Sequence, residues 1–461
     1  MPLTVNDSMT VETVNPATGK VEYTLELMDA AVIESILAAS ASAFPAWSSR
    51  SIEERGEFLR AVATQLRARR DDIQKVMTAE MGKLCKEALA EIDKCADGCD
   101  YYATHAAGYL KDQPIATEAS SSYVRFEPIG CVLAVMPWNF PLWQVFRFLA
   151  PTLMAGNVAV LKHASNVPRC ADVIEALLRD AGIPVGVFAA LHIDNEQAAN
   201  VLRDPRIAAV TLTGSERAGR SIAANAGDQL KKCVMELGGS DAFVVLEDAD
   251  LDKAVAGAIT SRFSNVGQTC IAAKRFVVVD AIADAFVQRF VEAASRLKLG
   301  DPQDESTTLG PMARQDLRDE LHKQVLDSIA KGAKPLLGCT PDDSHAGYPA
   351  SILDNVVPGM PAYEEELFGP AASILRVKDE AEAIRVANDT SFGLGGSVWT
   401  GDRERGNRVA RQLQCGAAFV NAVVKSDVRL PFGGSKRSGF GRELAEHGIH
   451  EFMNIKTVYV A

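Results

Sequence analysis

Apolar positions recur at helical spacing through the first 110 residues, and Ser51 with Glu54 forms a capping box ahead of a helix predicted to run to about Arg70. Glycines at 82 and 98 punctuate the later helices. From residue 130 the pattern changes to short β-rich runs alternating with helical ones, and it predicts strands at 131–135, 158–161, 187–191, 208–212 and 232–235. Five such units imply a parallel, doubly wound sheet with right-handed crossovers, whose ligands sit at the carboxyl ends of the strands. A second α/β set begins at 243–246, where Asp248 or Asp250 is placed to cap the next helix, and it runs to about residue 420. The segments 120–126 and 455–460 are β-prone and polar, and read as edge strands that need partners. The expected fold class is therefore α/β: a helical lead-in, two doubly wound domains and a small β element. No repeat or low-complexity tract interrupts it.

Composition narrows the function classes. With 48 Lys+Arg against 60 Asp+Glu, the net charge of −12 offers no footprint for nucleic acid or an anionic membrane. The one dense basic stretch, residues 67–70, runs straight into Asp71 and Asp72 and reads as a solvated helix face. The most apolar stretch, 131–149, is interrupted by Pro137, Asn139, Pro141, Gln144 and Arg147, so a membrane span is not expected. The first 15 residues, with Asn6, Asp7, Ser8 and Glu12, show no basic flank or apolar run of a secretory signal. Nine cysteines, an odd number spread from Cys85 to Cys415, do not form a disulfide framework and point to a reducing cytoplasm.

Four punctuated segments carry the candidate chemistry: Pro137-Trp-Asn-Phe-Pro141, Glu236-Leu-Gly-Gly239, Gly267-Gln-Thr-Cys270 and Glu366-Leu-Phe-Gly-Pro370. Singly each is weak, because Gly-Gly after a strand is usually a turn and a lone Cys usually a small core residue. In this order and spacing they resemble the aldehyde dehydrogenase superfamily. The likeness spans essentially the whole chain, from Val14-Asn-Pro-Ala-Thr-Gly19 to the Pro431–Glu443 segment, and within the superfamily it is strongest to the succinate-semialdehyde dehydrogenases.

That resemblance implies a Rossmann-like NAD(P)-binding domain at 1–117 and 134–238, a catalytic domain at 239–430, and an oligomerisation element at 118–133 and 448–461 that joins a homodimer or homotetramer. It makes Cys270 the nucleophile, Asn139 and the Cys270 N–H the oxyanion donors, and Glu236 the general base that hydrolyses a thioester. Asn139 as a plain turn residue and Glu236 paired with Lys231 or Lys232 are the competing readings. Members that transfer the acyl group to coenzyme A commonly lack this glutamate, so Glu236 favours release of a free acid. For the cofactor, NAD or NADP, the resemblance implies Gly214 and Ser215 at the pyrophosphate, on a turn opening a helix. It places Glu366 at the nicotinamide ribose, with Pro137, Trp138, Leu237 and Phe368 around it.

Ser165 stands where NAD-preferring relatives carry a glutamate, with Lys162 and His163 nearby, so use of both cofactors is expected.

For the substrate, Phe140, Trp143, Gln144 and Arg147 share one helix face, and the resemblance makes Arg147 a grip for a distal carboxylate. An ion pair within the fold is its alternative. A second arginine found in related enzymes is replaced by Ser264, with Arg262 two places upstream, so Lys425, Ser426 and Arg429 are candidates to complete the grip. Ala272 stands where some relatives place a second, redox-active cysteine, so no such switch is expected. Cys95 with Cys99, and His447 with His450, lack further ligands nearby, so no metal site is expected. The expected reaction is oxidation of an aldehyde such as succinate semialdehyde to its acid. Another ω-carboxylated or neutral aldehyde, such as glutarate semialdehyde, and a non-redox thiol esterase are the alternatives. The Gly214-Ser215 turn and Glu366 argue against the esterase.

Overall fold

The computed structural model describes residues 10–461; residues 1–9, which hold most of the segment read for a secretory signal and the start of the expected cofactor domain, lie outside the described residues. The first sheet has six strands in the order Gly439–Phe440, Lys232–Glu236, Ile207–Thr213, Cys131–Met136, Val158–His163 and Phe188–Ala190. All neighbours are parallel except Gly439–Phe440, which pairs antiparallel with Lys232–Glu236. All five predicted strands are present within one or two residues. Their near-continuous apolar runs follow from helices covering both faces, which leaves the central strands no wet side. From Cys131–Met136 the chain winds first to one side and then, through Ile207–Thr213, to the other. The crevice at that switch point is where such sheets bind ligands.

The lead-in helices pack around this sheet. The helix Ile52–Ala68 starts at the predicted capping box, with Ser51 Oγ accepting the Glu54 N–H at 3.1 Å and Glu54 accepting the Ser51 N–H at 2.8 Å. Arg67 and Arg70 pair with Asp97, Asp100 and Asp93 of the long helix Cys85–Tyr109, so the basic stretch braces two helices rather than facing bulk water alone. The helix Ala30–Ser48 is long and apolar enough to cross a membrane by length and composition. Its Trp47 is nevertheless buried in the first core and donates to the Leu153 carbonyl at 3.2 Å. The apolar stretch 131–149 breaks into the strand Cys131–Met136, a turn, and the start of the helix Trp143–Met154.

The second sheet runs Lys334–Leu337, Ser351–Asp354, Ala371–Val377, Ala273–Val279, Asp241–Val245, Gly395–Trp399 and Ala417–Val420, parallel except at the first pair. Asp250 caps the helix Leu251–Phe263 through the Lys253 N–H. The two polar segments find each other: Met453–Val460 pairs antiparallel with Ser121–Pro128 along its whole length, with Gln113–Pro114 on the far side. One edge of Met453–Val460 is left unpaired among the described residues, with Ile455, Tyr459 and Val460 exposed.

Three features depart from the pattern. An antiparallel hairpin, Thr10–Val14 with Val21–Glu26, occupies a region read as helical. The strand Cys131–Met136 belongs to the first sheet, although the expected division assigned residues 131–133 to the β element. Beyond residue 430 the chain returns to the first body, where Phe432, Leu444, Ile449 and Phe452 enter its core.

Candidate active site

Two cavities of about 340 Å³ each meet at Cys270 and Gln144, the residues that line both. The first is built at the switch point, from Pro137, Trp138 and Asn139 after one strand and Thr213, Gly214 and Ser215 after its neighbour. Ser215 caps the helix Glu216–Asp228, its Oγ accepting the Ala218 N–H at 3.3 Å, so free N–H groups and the positive helix end face the cavity. Leu237, Glu366 and Phe368 form the opposite wall. Glu366 accepts the Gly239 N–H at 3.0 Å and pairs with Lys274 at 3.0 Å. A Cβ at 238 would lie 2.1 Å from a Glu366 carboxylate oxygen, so a larger residue there would push the Glu366 carboxylate aside. Trp138 and Phe368 meet edge to face, 5.8 Å between ring centroids.

Lys162 and Ser165 lie in a further cavity of about 240 Å³, lined also by Val11 and Leu25 of the unforeseen hairpin. Asp194 there caps a helix. Lys162 makes no ion pair among the described residues, leaving its charge for a ligand. His163 is not a second cation. Burial pushes it down to about 4, its Nδ1 accepts the Ala164 N–H at 2.9 Å, and its Nε2–H donates to the Pro141 carbonyl at 2.8 Å.

Cys270 is half-buried just before the strand Ala273–Val279. The turn that feeds it is left-handed at three successive residues, Asn265, Val266 and Gly267, with φ of 52°, 58° and 69°. A β-branched Val in that region costs about 1–2 kcal/mol, so the strain sits beside the nucleophile. At Gly267 a Cβ would also lie 2.4 Å from the Gly369 carbonyl. Asn139 Nδ2 ties down the turn through the Gln268 carbonyl at 3.0 Å. Its second amide hydrogen and the Cys270 N–H have no acceptor among the described residues, as two oxyanion donors require. Burial pushes the thiol up to about 11, against the pull of Arg147 and Lys274. At neutral pH the resting thiol therefore keeps its proton.

Glu236 is 2% exposed at the end of its strand, and neither carboxylate oxygen has a hydrogen-bond partner among the described residues. Its expected competitors are occupied elsewhere: Lys231 donates to the Leu202 and Asp204 carbonyls, and Lys232 to that of Met453. Burial and then the neighbouring Glu443 hold the Glu236 carboxyl well above the ordinary carboxylate range, with Arg147 and Arg442 opposing. Glu236 lines neither cavity in this conformation, so meeting a water at Cys270 requires rotation of its side chain.

The second cavity is lined by Phe140, Trp143, Arg147, Ser264, Lys425 and Ser426, among others. Arg147 lines this cavity and also has partners within the fold. Arg147 is 2% exposed and forms an ion pair with Glu443, lies over the Phe432 ring at 4.5 Å, and donates to Thr213 Oγ1 at 3.3 Å. The ion pair of the alternative reading is thus present, although burial raises the Glu443 carboxyl above the ordinary range against the pull of Arg147. Arg262 is fully buried and donates to the Gly267 and Ala273 carbonyls at 2.6 and 3.1 Å, so it braces the nucleophile turn. Arg429 pairs with Asp427 at the surface, at 2.7 Å. Removing Arg147 should strand Glu443 as an unpaired buried charge. Arg147→Met is therefore expected to lose about 3–5 kcal/mol of stability, read by urea unfolding. Adding Glu443→Leu should restore most of it; an Arg147→Met chain as stable as the parent would refute the pairing.

Three positioning residues escaped the sequence reading. Lys274, 1% exposed, donates to the Thr269 and Cys270 carbonyls at 2.9 and 2.7 Å and pairs with Glu366, tying nucleophile and ribose site together. Lys83 donates to the Asn139 carbonyl at 3.0 Å and pairs with Glu91, which accepts the Leu142 and Trp143 N–H groups at 2.9 Å each. All three are charged residues whose partners come from other segments, so no local signal marks them as buried.

The chain matches the aldehyde dehydrogenase family over residues 4–458. It is 48% identical to the succinate semialdehyde dehydrogenase [NAD(P)+] Sad of Escherichia coli (strain K12), over 99% of each chain. It is 47% identical to a probable succinate-semialdehyde dehydrogenase [NADP(+)] of Synechocystis, over 98% of this chain and all of that one. Among solved structures, succinic semialdehyde dehydrogenase from Streptococcus pyogenes, in complex with NADP+, superposes with a TM-score of 0.96 at 39% identity, covering 98% of this chain and 99% of that one. With the family matched along almost its full length, the chain belongs to the aldehyde dehydrogenase family.

Proposed function

We propose that this protein oxidises succinate semialdehyde to succinate at Cys270, using NADP or NAD. The observation that carries the reading is the junction itself: one thiol lies where a cavity fitted to a dinucleotide meets a second cavity with cationic groups in its wall. The names of the relatives support the substrate.

The residues fit the cofactor. The open helix end at Ser215 suits a pyrophosphate, Glu366 suits ribose hydroxyls, and Lys162 has a charge to offer a phosphate. When bound, the nicotinamide accepts the hydride lost by the substrate carbon. Cys270 Sγ, once its proton has passed to water, forms the bond to the aldehyde carbon as the carbonyl π bond opens, and the resulting oxyanion meets the Asn139 amide and the Cys270 N–H. Loss of hydride leaves an acyl thioester on Cys270. Glu236, once ionised and turned toward the cleft, takes a proton from water as that water attacks the thioester. The carbon–sulfur bond breaks, and the acid leaves. A non-redox esterase would make no use of the first cavity.

An aldehyde panel varied in length and terminal charge, followed by reduced nicotinamide formation, tests the reading. Preference for succinate semialdehyde supports it; equal use of neutral aldehydes of like length overturns it. Cofactor choice has its own test. Ser165→Glu should cut kcat/KM for NADP about a hundredfold by placing like charge at the 2′-phosphate, and leave NAD nearly unaffected. A thousandfold preference of the parent enzyme for NAD would overturn dual use.

The nine unpaired cysteines suit a reducing cytoplasm. The free edge of Met453–Val460 suits a homodimer or homotetramer, which light scattering would count.

A further inference from the structure

The Lys274 ammonium lies buried against the nucleophile loop, and each of its three N–H groups has an acceptor. Two are the Thr269 and Cys270 carbonyls, at 2.9 and 2.7 Å, and the third is the Glu366 carboxylate at 3.0 Å. Glu366 is itself fixed by the Gly239 N–H, and the Phe368 ring centroid lies 5.9 Å from the ammonium. The other acid nearby, Asp241, spends one oxygen on the Gly395 N–H. The ammonium keeps no donor for solvent, and contacts in three directions fix where it sits.

The Thr269 carbonyl and the Cys270 N–H belong to one peptide unit. A trans peptide is planar and holds its C=O and N–H antiparallel, so whatever aims that carbonyl aims the N–H the opposite way. The Ala272 N–H, 3.0 Å from the same oxygen, comes from the same short loop. Lys274 adds a donor anchored in the strand Ala273–Val279. Because it also holds the Cys270 carbonyl, the peptide units on both sides of the Cys270 Cα are tied to one charge. The loop arrives from the left-handed residues Asn265, Val266 and Gly267 and joins no sheet before Ala273, so ladder bonds do not hold it.

We propose that Lys274 is the positioning residue of the oxyanion site: by gripping the Thr269 and Cys270 carbonyls it aims the Cys270 N–H at the oxygen that becomes negative when Sγ adds to a carbonyl carbon. The inference rests on the function proposed above, in which Cys270 is the nucleophile. A backbone donor stabilises an oxyanion best when it already points there, because turning it during the reaction costs energy. Lys274 also pulls the Cys270 thiol down, after Arg147 and against burial, so its charge and its aim call for separate readouts.

Two reagents supply them in the cofactor-free enzyme, since both consume the same thiolate and only one builds an oxyanion. With p-nitrophenyl acetate the Sγ–acyl bond forms through a tetrahedral oxyanion, and the ester C–O bond then breaks to release p-nitrophenolate. Iodoacetamide forms an Sγ–carbon bond by displacing iodide, with no oxyanion. In Lys274→Met the p-nitrophenolate burst should slow about tenfold more than the alkylation does, a part of the roughly 10²–10³-fold that loss of a whole oxyanion donor costs. Lys274→Arg keeps the charge but spreads its donors in one plane, so its alkylation should stay within about threefold of the parent while its ester burst still slows about tenfold. Equal slowing of both reactions in Lys274→Met, or a parent-like ester burst in Lys274→Arg, overturns the proposal. An ester burst of parent size from Cys270→Ala would instead refute Cys270 as the nucleophile on which the inference rests.

Discussion

Cys270→Ala is expected to lower aldehyde-dependent formation of reduced nicotinamide by about ten-thousandfold or more, while leaving cofactor binding measurable by fluorescence. No other thiol can take over. Cys270 is the one cysteine on the wall shared by the two cavities, and Cys95, Cys99, Cys131 and Cys170 are buried in the core with their thiols pushed up by burial. The same geometry makes the nucleophile slow at rest. With its thiol pushed up to about 11, only a small fraction is thiolate at neutral pH. Alkylation of Cys270, mapped by mass spectrometry, should accelerate about tenfold per pH unit from neutrality upward, because the thiolate is the reacting form. A rate flat in pH would mean that the thiol is already ionised. Normal turnover by Cys270→Ala would remove it as nucleophile.

Glu236→Gln should show the opposite kinetic signature. One equivalent of reduced nicotinamide should form in a burst, after which turnover stalls at the thioester, with kcat lower by about 10²–10⁴-fold. An amide fills the space of the carboxyl but accepts no proton from water. The buried site holds the Glu236 carboxyl above the ordinary range, so the parent enzyme should gain steady-state rate as pH rises and Glu236 ionises. The variant should lose that gain. A steady state without a burst, or a pH profile shared by parent and variant, would show that Glu236 is not the hydrolytic base.

The reach of the sequence differs from element to element. The strands of the first sheet were legible because parallel strands buried on both faces read as unbroken apolar runs bounded by turns. The hairpin Thr10–Val14 with Val21–Glu26 was not, since its short, largely exposed strands give no apolar run to set them off from the helices that follow. The candidate trio stood out because Cys270, Asn139 and Glu236 lie in or beside turns whose glycines and prolines mark them. For the charged residues around them, the sequence showed residue type without partner. Arg147 faces the cavity as its helical spacing predicted, yet Glu443, from the far end of the chain, takes its charge.

By itself, then, the sequence determined the two doubly wound bodies, marked a candidate nucleophile with candidate amide and carboxyl helpers, and showed a turn that opens a helix. Each of these is local: a strand, a turn or a cap is set by neighbours a few residues away. Only the tertiary structure decided which cations are paired and which are left facing the substrate. A charge in a dry cavity is defined by the groups that fold against it from distant parts of the chain, and no local pattern records whether such a partner arrives.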